Sequence, residues 1–171
     1  MKHLLFILFI IITSNNMITS QKFLSSNQDC IFDQTTQTDE FLKNIEELKD
    51  YVWFDDEKKA EIILNDHWTL AIKRGGCDHF ELSAEFFYER PLDFKTNKKL
   101  VFDNIIWITN LLNEFDGDII KECLEKEKYS ITEENENNLF INFLDERIYE
   151  SYFMSYKSDT TTTFIVSYTI Y

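Results

Sequence analysis

The chain has 171 residues, 44% of them apolar and 16% aromatic, and a formal net charge of −14. That much apolar and aromatic material excludes a disordered chain, and a total of only three glycines and one proline argues against a loop-dominated scaffold knotted by disulfides. A charge of this sign repels nucleic acid and anionic membrane surfaces, and it favours basic proteins or cations as partners.

The N-terminus, MKHLLFILFIIITSNNMITSQ, begins with Lys2 and His3 and continues with nine apolar residues from Leu4 to Ile12. Small and polar residues then lead to a cut after Ser20. This is the layout of a secretory signal peptide over 1–20, too short to span a hydrocarbon core that needs about 20 apolar residues. The expected mature chain, 21–171, is a single globular domain that carries sixteen basic and thirty-one acidic residues, a charge of −15. No membrane span is expected in it, and its expected location is periplasmic or extracellular. Cys30, Cys77 and Cys123 all remain after cleavage, so an oxidising compartment implies one disulfide and one leftover thiol. Cys123 shares a helical face with Ile119, Ile120 and Leu124 and reads as a buried thiol. Of the three possible pairings, Cys30 in a polar arm with Cys77 in a glycine-rich loop is the expected one, and Cys77–Cys123 is the next.

Residues 21–38 are weakly patterned and read as an arm. Asp39 is a reasonable N-cap, and Phe41, Leu42, Ile45, Leu48 and Val52 at helical spacing predict a helix over about 40–50. From Glu61 the period changes to two. AEIILN (60–65) predicts a strand turning at Asn65-Asp66, and HWTLAIKR and HFELSAEFFYE predict two more. In the last of these, Phe80, Leu82, Ala84, Phe86 and Tyr88 form one face, and Glu81, Ser83, Glu85 and Phe87 the other. Matching the apolar faces pairs Ile72 with Phe80 and Lys73 with His79, across an odd-numbered or bulged loop supplied by Gly75 and Gly76. Arg90-Pro91 ends the third strand.

Residues 99–116 predict the strongest helix, with a stripe of Val101, Ile105, Ile108, Leu112 and Phe115. Gly117 reads as its C-terminal cap and Asp118 as the cap of a second helix over about 119–127. ITEENENN (131–138) reads as a loop. LFINF, RIYESYFMSYK and TTTFIVSYTIY follow as a three-strand meander. The expected fold class is α+β: a mainly antiparallel sheet, made of the N-terminal hairpin strands and the C-terminal meander, with two or three helices packed on one face. The helical middle third argues against an outer-membrane barrel.

Gly75-Gly76-Cys77-Asp78-His79 is where unusual residues crowd together. Cys77 and His79 could share a metal with His67 or a carboxylate, but no second Cys/His pair stands at ligand spacing, and a turn pinned by a disulfide accounts for the motif. No metal or cofactor is expected. His79, Glu81 and Ser83 lie on one strand face, where side chains two apart project in parallel about 7 Å from each other and do not converge. Asp116-Gly117-Asp118 with Glu122 lacks the further acid and the bidentate glutamate of a calcium loop. Aromatics of both parities among Tyr149, Tyr152, Phe153, Tyr156, Tyr168 and Tyr171 leave some of these rings exposed.

The resulting expectation is a small exported binding protein without a catalytic centre, of inhibitor or immunity type, for a basic protein partner. Its expected binding surface comprises His79, Glu81, Glu85, Tyr152 and Tyr156. The contrasting readings are an exported hydrolase that uses His79 with Glu81 or Asp78, and a structural envelope protein. Export predicts a mature N-terminus at Gln21 or close by. N-terminal sequencing of protein recovered outside the cytoplasm checks this, and an intact Met1 on cytosolic protein refutes it.

Overall fold

Two stretches of period-two patterning, one on each side of a helical middle, meet in a single antiparallel sheet. The computed structural model describes residues 30–135, 137–148 and 151–171; the expected signal peptide and the arm up to residue 29 lie outside them. The strands are β1 (Val52–Phe54), β2 (Lys59–Asn65), β3 (Trp68–Gly75), β4 (Phe80–Tyr88), β5 (Tyr129–Asn135), β6 (Asn138–Phe143), β7 (Tyr152–Ser158) and β8 (Thr162–Ile170). Their order across the sheet is β1-β2-β3-β4-β8-β7-β6-β5. Each half is thus a local meander, and β4 with β8 joins them. Between the halves run α1 (Phe94–Leu111) and α2 (Gly117–Glu125). The fold is α+β, as expected.

One face of the sheet is the core face. Leu70, Ile72, Leu82, Ala84, Phe86, Phe164 and Val166 on the central strands are buried together with Val101, Ile105 and Ile108 of α1 and Leu112 at its C-cap. Phe86 stacks on Phe164 at 4.9 Å between ring centroids and lies 6.2 Å from Trp107 of α1. Burial of side chains this large contributes about 1.5–3 kcal/mol each. Beyond α2, Lys128, Lys126 and Arg147 gather on Glu122 and hold its carboxyl down to about 2, which ties the end of the helix to the β6–β7 connection.

Several expectations need correction. The helix over 40–50 is replaced by two short 3₁₀ turns, Asp39–Phe41 and Glu46–Leu48, with extended backbone at Ile45 between them. Leu42 and Leu48 both reach the core this way, and tertiary burial overrides a weak helical preference. Val52, expected on that helix, lies in β1 instead. The stretch 131–138 is no loop: β5 runs to Asn135 and β6 starts at Asn138. β5 is an edge strand with exposed residues from Ser130 onward, and edges are commonly charged to discourage pairing with other chains. Gly117 does not cap α1 but opens α2, whose N-cap is Asp116. A Cβ on Gly117 would stand 2.5 Å from the Thr109 carbonyl oxygen, so glycine is there for the close approach of the two helices.

The β3–β4 register also differs from the expected one. Ile72 pairs with Ala84, not Phe80, and Lys73 pairs with Ser83, not His79. The shift is four residues, an even number, so the apolar faces still coincide. The intervening loop is odd, five residues from Gly76 to Phe80 between the Gly75–Glu81 pair.

Cys30 and Cys77 form a disulfide with their Cα atoms 4.6 Å apart, and Cys123 is a buried free thiol. Burial pushes the Cys123 thiol up from its ordinary value, which keeps it protonated and unreactive. The bridge spans 47 residues, and closing such a loop restricts the unfolded chain by about 4 kcal/mol. We expect Cys30→Ala/Cys77→Ala to lose stability on that order in urea unfolding, and Cys123 to resist alkylation until the chain unfolds. Rapid alkylation of Cys123 in the native protein would contradict its burial.

Candidate functional site

The Gly75–His79 loop acts as an anchor for the N-terminal arm. The disulfide fixes Cys77 to Cys30, and the Phe32 N–H donates to the Cys77 carbonyl at 3.1 Å. Gln37, 3% exposed, clamps the preceding residue: its Nε2 donates to the Gly76 carbonyl and its Oε1 accepts the Gly76 N–H, both at 2.9 Å. A side-chain amide thereby pairs with backbone as a strand neighbour does. Both glycines are needed for this approach. A Cβ on Gly75 would lie 2.2 Å from Gln37 Oε1, and one on Gly76 would lie 1.9 Å from the His79 carbonyl oxygen. Beside the loop, Arg74 sits between the rings of Phe41 and Phe80, 5.2 and 5.0 Å from their centroids, and its Nε donates to both oxygens of Glu114. The arm, β3, β4 and the end of α1 meet here.

The expected binding residues separate. His79 is exposed, with its ring 6.0 Å from that of Tyr171, and makes no side-chain hydrogen bond among the described residues. Glu81 Oε2 accepts from Lys73 Nζ at 3.2 Å. Glu85 is exposed on the same sheet face, the one turned away from the helices. Tyr152 and Tyr156 require correction, since both are buried on the core face. Tyr152 Oη donates to Asp116 Oδ2 and accepts the Asp116 N–H, and Tyr156 Oη donates to the Leu92 carbonyl. Burial of a tyrosine needs a partner for its hydroxyl, and these partners come from segments 36 and 64 residues away. Burial holds the Tyr152 phenol well above its ordinary value and raises that of Tyr156. Of the other rings, Phe153 is exposed on the outer face, Tyr171 is exposed at the C-terminus, and Tyr149 lies outside the described residues.

A concavity of about 780 Å³ lies where α1 starts, with Leu92, Phe94, Lys98, Ile131, Leu139 and Tyr156 among its walls. Its polar groups serve the walls themselves. The Leu92 N–H donates to Ser158 Oγ and Thr162 Oγ1, and the Asp93 carboxylate caps α1 through the Lys95 N–H. Among the described residues no group of three or more His, Cys, Asp or Glu side chains is placed to hold a metal ion. No helix among them is long and apolar enough to cross a membrane.

Acidity is unevenly placed. Residues 33–57 carry nine acids and two lysines, −7 of the chain's −14. Glu46, Glu47, Asp50, Asp55, Asp56 and Glu57 within that stretch are all exposed and flank β1, an edge of the sheet. Composition revealed the total charge, while this concentration was legible in the local acid count and gained its position only from the edge location of β1. No protein-family model matches the chain, and no curated protein or solved structure matches it either.

Gln37 makes the clamp testable. Gln37→Ala leaves the N–H and carbonyl of Gly76 without their partner and is expected to cost about 1–3 kcal/mol in urea unfolding with the disulfide intact. A change within experimental error would mean that the disulfide alone holds the arm.

Proposed function

We propose that this chain is an exported binding protein whose acidic edge engages a basic protein partner. The observation that carries the reading is the concentration of half the net charge in residues 33–57, displayed on exposed turns around β1. A stable display supports it: the segment is fastened by the Cys30–Cys77 bridge and the Gln37 clamp and rooted in the core through Leu42 and Leu48. A fixed array of like charges steers an oppositely charged partner and raises its rate of encounter. A disulfide is consistent with export, and the N-terminal pattern of Lys2 followed by nine apolar residues supports the same reading. An inhibitor or immunity-type role toward a basic enzyme is the most concrete form of the proposal.

Glu81 and Glu85 have Lys73 and Lys59 on the same sheet face, so they contribute less to such steering than the edge acids do. Capture from the cell envelope or secreted fraction with the mature, disulfide-bonded domain, followed by mass spectrometry, is expected to yield a basic protein. Its association rate should fall steeply as salt passes about 0.1 M, where the screening length is about 10 Å. Glu46→Lys/Glu47→Lys/Asp50→Lys should slow association more than Glu81→Lys/Glu85→Lys, with little change in dissociation. A partner whose binding ignores both salt and the edge acids would sink the proposal.

A further inference from the structure

Among the described residues, no helix packs on the second face of the sheet. Partners across the ladders place Val52, Phe54, Ile63, Phe87 and Phe153 on it. These are five of the eleven large hydrophobic residues exposed among the described residues, so apolar exposure is concentrated here. The centre is smooth: Ala71, Ser83, Ser155 and Ser167 lie between Phe87 and Phe153, with half-buried Ile165 among them. At its paired charged positions this face holds Lys59, Lys73 and Lys157 against Glu61, Glu81 and Glu85. Three cations against three anions leave no net charge, on a chain whose total is −14.

We infer that this outer face docks a second copy of the chain, sheet against sheet, about a twofold axis. Neutrality selects the occupant. A basic protein is drawn to the acidic edge and gains nothing from a balanced face, whereas an equally acidic copy can approach only where the charge cancels. Small central residues let two sheets reach the usual spacing of about 10 Å.

The face also fixes a register. Lys73 pairs with Glu81 and Lys59 with Glu61, but Glu85 and Lys157 have no ion-pair partner among the described residues. Glu85 lies in the row of Ile165 and Ser155, and Lys157 in the row of Thr163 and Phe87. Two strands and two residues separate them, about 12 Å. A twofold axis in the interface plane, running midway between the two, sets Glu85 of each copy opposite Lys157 of the other and forms two reciprocal pairs.

Sedimentation equilibrium on the mature, disulfide-bonded chain tests this. A dimer is expected, and it should tighten as salt rises from about 0.05 to 0.5 M, because screening relieves repulsion between two acidic copies. A basic partner responds in the opposite direction. Glu85→Lys and Lys157→Glu should each weaken dimerisation by about tenfold or more, since each sets like charges face to face. Glu85→Lys/Lys157→Glu should restore it, which a folding defect cannot do. Unchanged circular dichroism and melting confirm that the single variants fold. A chain that stays monomeric at about 500 μM in high salt overturns the proposal. So does a dimer indifferent to both single changes, or a double variant as weak as the singles.

Discussion

The ladder between β4 and β8 is the pairing on which the rest depends. It runs over nine residue pairs, from Phe80 with Ile170 to Tyr88 with Thr162, and joins positions 74 to 90 residues apart in the chain. Every other strand contact is to a sequence neighbour, in one meander or the other. Loop-closure entropy therefore falls mainly on this one contact, and the stacking of Phe86 on Phe164 behind it supplies much of the return. The ladder also decides what faces what. It turns Ala84, Phe86, Phe164 and Val166 to the helices, and Glu85, Phe87, Ile165 and Ser167 outward.

The covered and uncovered faces divide the work of the surface. The loops, edges and helix side carry the chain's net acidity, and the outer face balances its charges and presents aromatic rings beside small residues. An antiparallel sheet can leave one side to water, but here the charged residues at paired positions on that side balance, in a strongly acidic chain. The Gly75–His79 loop belongs to neither surface in a chemical sense. Its glycines, its cysteine and Gln37 hold the acidic arm to the end of the β3–β4 hairpin, and this structural task accounts for the crowding of unusual residues there.

How much was legible varies with how local the determining contact is. Period-two alternation at 68–75 and 80–88 placed both strands and both faces, because a half-buried strand writes its burial into alternate residues. The register did not follow, since it depends on how many residues the loop anchor withholds from the ladder. β5 was invisible because an edge strand with little buried surface has no apolar face to display. Aromatics of both parities in the C-terminal strands place Tyr152 and Tyr156 among the rings expected at the surface. Their hydroxyls found partners at Asp116 and Leu92, on segments no sequence window joins to them.

Residue pattern by itself determined the α+β class, the α1 stripe, the alternating faces of the central strands, the burial of Cys123 and the total charge. Each is a property of a short window or a sum over the chain, and needs no knowledge of distant neighbours. Tertiary structure alone decided that residues 40–50 turn twice instead of forming a helix, and that Gly117 is required for helix packing. It alone also decided which tyrosines are hidden and which sheet face is left open. Those outcomes are set by contacts between segments tens of residues apart, where the energy of burying Leu42, Leu48 or Tyr152 against a particular neighbour outweighs local preference.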